Sequence, residues 1–276
     1  MIQDGDLSLE FDIADPMNGS VKFARKRNRT YTHLTDPAFY WRWGLIIDGN
    51  ELSQTGRQPQ GTRYDVPGTS IIRDVTVDND TLWYETTTTF DHTYLETLVQ
   101  KVTLLSPTKI QWDQTVTLKT DLPGATYETR SEAAEVFRGT TLPRYAMMAP
   151  AMYIPKWMCE DSYAFNIQTA KRIVSHDPYP SLYELDATRV AAIRSRGRGD
   201  HAIGLYLKSQ SSPDFDRFLR TRSGAAASDS QQWRELTAMF AIKNGVLAAA
   251  QSFSTTSIVA IGTTEEVETA LASEVA

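Results

Sequence analysis

The stretch from Thr69 to Thr120 constrains the fold more than any other part of the chain. Thr69 to Val77 is rich in β-branched residues and ends in the turn cluster Asp78-Asn79-Asp80. Thr81 to Phe90 follows, again dominated by β-branched and aromatic residues, which suit a pleated surface. Leu95 to Leu105 comes next, then the turn Ser106-Pro107-Thr108, then Lys109 to Thr120. In the last segment Ile110, Trp112, Thr115 or Gln114, Val116 and Leu118 recur at even spacing, the period of a strand with one buried face. Consecutive strands of about ten residues, longer than the usual strand, predict a meander in a large antiparallel sheet.

Two further blocks read as strands. Leu182 to Ile193 and His201 to Lys208 flank the glycine-bearing loop Arg194 to Asp200, which predicts a hairpin. Leu236 to Ile242 and Val246 to Phe253 flank Lys243-Asn244-Gly245, and Asn-Gly favours a type I′ hairpin turn. Ser257 to Ile261 adds a last strand. Helices are few. Pro213 to Leu219 suits a short one, and Ser228 to Glu235 fits either a loop or a short helix. Thr263 with Glu266 forms a capping box for a C-terminal helix whose apolar stripe is Val267 and Leu271. Residues 15–66 and 128–181 show no clear period, and the second is rich in aromatics and prolines. There is no internal repeat and no low-complexity linker. The expectation is an all-β chain: one large antiparallel β-sandwich domain over residues 1–276, with an irregular aromatic-rich insert at about 128–181.

Composition narrows the function. The 276 residues carry 28 Lys and Arg against 34 Asp and Glu, a net charge of −6. An acidic chain gains little from counterion release, so nucleic acid is not an expected partner. No run of about 18 apolar residues occurs, so no membrane span is expected. The lone Cys159 rules out an intramolecular disulfide and fits a reducing compartment. Met1 to Asp6 lacks the basic and apolar regions of a signal peptide, so a cytoplasmic location is expected. The four histidines, His33, His92, His176 and His201, share no metal-ligand spacing, and no Cys-x-x-Cys occurs. No metal or other cofactor is therefore expected. The oligomeric state is open, a homo-oligomer included.

One arrangement goes beyond fold class. Trp43-Gly44-Leu45-Ile46-Ile47-Asp48-Gly49-Asn50-Glu51-Leu52 is a strand closing on a turn, and it precedes the long-stranded meander. The chain ends with paired strands, a last strand, and Gly262 to Val267 opening a helix. This order resembles the galactose-mutarotase-like supersandwich of sugar epimerases and of the β-domains of many glycosidases and polysaccharide lyases. The resemblance implies a supersandwich that acts on carbohydrate. True aldose 1-epimerases carry an Asn-His-x-Tyr/Phe-type segment after the central meander, whose histidine is the general acid. The corresponding stretch here, Asp121 to Arg138, has no histidine. The resemblance therefore implies the fold and not mutarotation itself.

Several residues could carry chemistry. His92, in Phe90-Asp91-His92-Thr93-Tyr94, is either a solvated turn residue or an acid/base at a sheet edge. His176 lies between Ser175 and Asp177-Pro178-Tyr179-Pro180, a rigid setting for either a catalytic histidine or a capped loop. In an extended strand Glu128, Arg130 and Glu132 share a face, which gives two carboxylates beside a guanidinium. Sugar chemistry uses such a set, and a surface salt-bridge ladder looks the same in sequence. Trp157 with Lys156, and Tyr145, Tyr153 and Tyr179, are candidate sugar-stacking or binding residues, with core packing as the bland alternative. Alternation predicts that Trp41 or Trp43 is buried. The basic run Lys22, Arg25, Lys26, Arg27, Arg29 reads as a solvated hairpin or an acidic-ligand site. Met147 to Met152 is apolar and adaptable enough to line a hydrophobic site.

The leading expectation is an isomerase, lyase or hydrolase acting on a saccharide or glycoside by acid/base chemistry. The alternatives are a non-catalytic carbohydrate-binding or assembly sandwich, and a cyclase- or lipocalin-like enzyme acting on a hydrophobic natural product.

Overall fold

The computed structural model describes residues 1–12, 20–32, 40–47, 50–53, 71–78, 82–90, 93–121, 145–154, 163–166, 171–172, 181–184, 191–195, 200–208, 215–224, 233–242 and 248–275. Among these, three sheets and one helix are found, and every strand pair is antiparallel. A four-stranded sheet holds β1 (Ile2–Asp4), β2 (Leu7–Asp12), β3 (Ser20–Lys26) and β4 (Arg29–Thr30) in chain order. A six-stranded sheet has the spatial order β14 (Ser181–Glu184), β17 (Phe215–Gly224), β18 (Trp233–Ile242), β11 (Tyr145–Ile154), β5 (Arg42–Ile47), β6 (Asn50–Ser53). A nine-stranded sheet begins with β13 (Lys171–Arg172), β12 (Tyr163–Asn166), β15 (Ala191–Ser195), β16 (His201–Leu207) and β19 (Ser252–Gly262). It continues with β10 (Lys109–Leu118), β9 (Leu95–Ser106), β8 (Trp83–Phe90) and β7 (Ile71–Asp78).

The predicted meander forms one half of the nine-stranded sheet in chain order. β10 alternates strictly between buried and half-buried residues, as its period predicts. Its buried Ile110, Trp112, Val116 and Leu118 join Leu98 and Val102 of β9 in one core cluster. Trp43, Leu45, Met147, Met152, Ile154, Leu236 and Phe240 of the six-stranded sheet belong to the same cluster, so the two sheets pack face to face as a sandwich. Each fully buried Leu, Ile, Val or Phe contributes about 1.5–3 kcal/mol by leaving water.

The C-terminal helix α1 (Thr264–Val275) starts as the capping box predicts. The Glu266 carboxylate accepts the Thr263 N–H at 2.8 Å, and the Thr263 hydroxyl accepts the Glu266 N–H at 3.2 Å. Val267 and Leu271 pack on Ala202, Tyr206, Ile258 and Ala260, on the face of β16 and β19 away from the intersheet core. Gly204 makes the close approach feasible, because a Cβ there would meet Val267 Cγ1 at 2.6 Å.

The N-terminal sheet is fastened by polar contacts as well as by apolar ones. Lys26 is 2% exposed, and its ammonium donates to Asp6 at 2.8 Å and to the Pro107 carbonyl at 2.6 Å. The predicted solvated hairpin is therefore right for its neighbours and wrong for Lys26, which ties β3 to the turn before β10. Burial pulls the Asp6 carboxyl upward, but the hydrogen bond and charge of Lys26 and the charge of Arg27 outweigh it and hold it below its ordinary value. His201 also holds this sheet. The Tyr31 hydroxyl lies 2.9 Å from His201 Nδ1, and burial, aided by the charge of Arg29, lowers the histidine pKa.

Five expectations are corrected. Residues 215–224 are strand β17, not a helix, because they pair along their whole length with β18. Residues 236–253 are not a hairpin: β18 lies in the six-stranded sheet and β19 in the nine-stranded one. Residues 182–193 are not one strand, since β14 and β15 belong to different sheets. Within the stretch read as irregular, Tyr145–Ile154 is an interior strand. A register shift between Met148 and Ala151 interrupts its period and hides it from pattern reading. Finally, both Trp41 and Trp43 are buried, at 1% exposure each, because residues two apart share a face. No helix among the described residues is long and apolar enough to cross a membrane.

Candidate functional site

Most of the candidates read from sequence, namely His92, Glu128, Arg130, Glu132, Lys156, Trp157, His176 and Tyr179, lie outside the described residues. Tyr145 is described as the first residue of β11. Tyr153 is described in full, and the structure places it in a polar and aromatic cluster on the six-stranded sheet.

The cluster follows from alternation. Trp41, Trp43, Met152 and Leu236 face the intersheet core. Their chain neighbours Arg42, Ala151, Tyr153 and Thr237 therefore take the opposite face of the sheet. They are nonetheless buried, with Arg42 at 2%, Tyr153 at 4% and Thr237 at 0% exposure, and none belongs to the intersheet core cluster. Tyr40, one alternation step before Arg42, is buried as well. This sheet is thus covered on both faces here, and the second face is polar.

Arg42 is the central group. Its Nη2 donates to the Tyr153 hydroxyl at 3.3 Å, and its guanidinium carbon lies 5.3 Å from the centre of the Tyr153 ring. The Tyr153 backbone is fixed in turn, because its carbonyl accepts the Trp41 indole N–H at 3.1 Å. A guanidinium removed from water is costly unless it is held by hydrogen bonds and charge, so an arginine retained at such a position is a structural or functional device.

Backbone register extends the site across the sheet. Arg42 stands opposite Ala151, Ala151 opposite Thr237, and Thr237 opposite Arg220. In the neighbouring row Tyr153 stands opposite Glu235, and Glu235 opposite Arg222. Directly opposed residues in antiparallel strands lie about 4.5–5.5 Å apart between Cα atoms. The two rows therefore bring three arginine positions, one glutamate position and a tyrosine together. Of these, the Arg42 guanidinium and the Tyr153 hydroxyl are in contact, a pair able to bind hydroxyls or a carboxylate.

Sequence reading did not single out Arg42 or Thr237, nor the positions Arg220, Arg222 and Glu235 that the register sets beside them. One signal was present: an arginine between two tryptophans in a strand implies that both faces of the strand have work to do. The arginines of β17 were hidden by the helical reading of that segment.

No known family profile matches the chain, and no curated protein matches its sequence. Among solved structures, the fold is similar to that of a candidate aldose 1-epimerase from Escherichia coli K12. The TM-score is 0.55 at 10% identity, over 95% of this chain and 98% of that one. The chain also aligns with a heparan sulfate lyase, HepC, of Pedobacter heparinus, at TM-score 0.42 and 8% identity, over 91% of this chain and 31% of that one. A polysaccharide lyase, BACCELL_00875, aligns at TM-score 0.42 and 10% identity, over 96% of this chain and 34% of that one. The chain thus spans about a third of the length of those lyases. The epimerase likeness bears on the fold and agrees with the supersandwich resemblance read from sequence. A fold by itself does not carry an activity.

Proposed function

We propose that the chain is a carbohydrate-acting enzyme whose binding site is the second face of the six-stranded sheet. The observation that carries this reading is the buried Arg42–Tyr153 pair, with Glu235 in register beside Tyr153. Arg42 and the neighbouring positions Arg220 and Arg222 favour a saccharide bearing a carboxylate, since guanidinium groups bind carboxylates in a fixed fork. Tyr153 supplies hydroxyl and ring surface, the pairing sugars use.

Glu235 is the proposed acid/base. A second titratable group would come from His92, Glu128, Glu132 or His176, with Arg130, Lys156, Trp157 and Tyr179 as further ligand-binding candidates. The reaction class is proton transfer at a sugar centre, of isomerase, lyase or hydrolase type, and the redox chemistry of a cofactor is not invoked.

The test is a turnover screen on neutral and uronate-containing oligosaccharides, run with Glu235→Gln and Tyr153→Phe. Glu235→Gln is expected to lower turnover at least a hundredfold, the usual scale of one general acid or base, with an unchanged thermal midpoint. Saccharide binding without turnover by the wild type would favour the non-catalytic alternative. Full activity in Glu235→Gln would remove the site.

A further inference from the structure

A second buried polar feature lies in the sandwich core and has no part in the proposed reaction. Thr86 of β8 stands opposite Gln100 of β9, Gln100 opposite Gln114 of β10, and Gln114 opposite Thr255 of β19. The four residues make one transverse row across four adjacent strands. Thr86 is 1% exposed and the other three 0%.

The row faces the intersheet core. Leu98 and Val102 flank Gln100, Trp112 and Val116 flank Gln114, and all four belong to the core cluster that joins the two sheets. Among the described residues, Thr86 Oγ1, both amide heteroatoms of Gln114, Thr255 Oγ1 and the Trp112 indole N–H have no hydrogen-bond partner in the protein. Leaving so many polar atoms dry inside one core would cost a sum that rivals the stability of a whole domain.

The chemistry of the row selects its occupant. Its groups are neutral, and donors and acceptors are mixed. That suits neither a cation, which wants oxygen acceptors alone, nor an anion, which wants donors. On the two central strands the flanking residues Leu98, Val102, Trp112 and Val116 are apolar and lie about 7 Å away along the strands, so the polar strip is one residue wide there. At its two ends the buried Thr88 and Ser257 widen it. Three strand-to-strand steps give it a length of about 14 Å. Across its middle so narrow a strip holds molecules in single file, and water, both donor and acceptor, suits the mixed groups along it.

We infer that a file of buried water molecules lies on the row Thr86–Gln100–Gln114–Thr255, bridging the nine-stranded sheet to the core that faces it. Magnetic relaxation dispersion of water on the full-length protein, which counts long-lived internal waters, tests this. Thr255→Val keeps the side-chain shape and removes one hydroxyl, so it is expected to lose at least one such water. Gln114→Leu is expected to lose more. If Gln114→Leu fails to fold, Thr255→Val together with Thr86→Val supplies the comparison. Equal numbers of long-lived waters in the wild type and the folded variants would overturn the inference. So would a crystal structure in which a protein side chain or a bound small molecule satisfies Gln114.

Discussion

Lys26 and Gln114 are both sealed from solvent, and the protein treats them in opposite ways. Lys26 is 2% exposed, and its ammonium donates to the Asp6 carboxylate and the Pro107 carbonyl. Gln114 is 0% exposed, and neither heteroatom of its amide has a protein partner among the described residues. The charged group is the more expensive to bury, yet it is the one whose bonds are made within the chain. Depth of burial alone therefore does not mark a binding position. Whether the protein itself completes the hydrogen bonds does. By that criterion Lys26 is an anchor of the small N-terminal sheet, and Gln114 belongs to a row that requires an occupant.

The contrast can be broken experimentally. The largest effect is expected for Lys26→Met, which removes two hydrogen bonds from an ammonium and leaves a carbonyl and a carboxylate short of a donor. A loss of about 2–3 kcal/mol in urea-induced unfolding is expected, the scale of hydrogen bonds to charged groups. A loss below half a kcal/mol would show that the anchor is ornamental.

Thr263→Ala removes a polar group whose partner is likewise within the chain, the Glu266 N–H of the capping box. It should cost about 1 kcal/mol, read from the same unfolding curves. Gln114→Leu is expected to change stability by less than about 1 kcal/mol in either direction, because an apolar group of similar size replaces an amide that has no protein partner to strand. A large loss in Gln114→Leu, comparable to that of Lys26→Met, would erase the distinction.

The smallest effect is a pH dependence. The folded-state pKa of Asp6 lies below its unfolded value, so its contribution is complete above that unfolded value and lost as pH falls through the folded one. Wild-type stability should therefore decline below about pH 4, the ordinary carboxylate range. In Lys26→Met part of that acid slope should disappear, since the main partner of Asp6 is gone. Identical slopes in the two proteins would remove Asp6 from the anchor. Arg27 also pairs with Asp6, so the slope is not expected to vanish.

The two buried clusters were legible in sequence to different degrees. The strand carrying Gln114 was read from its even spacing, which already set Gln114 or Thr115 on the buried face, but nothing local shows whether a buried amide finds a partner in the protein. Arg42 was visible between its tryptophans, whereas its neighbours across the sheet were not. Tyr153 and Glu235 are separated by 82 positions, and only the β11–β18 register brings them together. The register shift inside β11 also erased the period that would have identified that strand. The reading of 213–219 as a helix failed because a short apolar-polar run fits either period, and pairing with β18 decided between them.

By itself, the sequence determined the all-β class, the long meander and the capped C-terminal helix. Each depends on the preferences and spacing of residues close in the chain, which act whatever the distant partners are. The tertiary structure alone decided which strands are neighbours. It assigned β18 and β19 to different sheets across an apparent hairpin, covered the second face of the strand bearing Arg42, and aligned Thr86, Gln100, Gln114 and Thr255 into one row. The physical reason is that alternation along a strand tells which face a residue takes but not which strand lies beside it. That choice comes from hydrogen-bond register and packing between segments far apart in the chain.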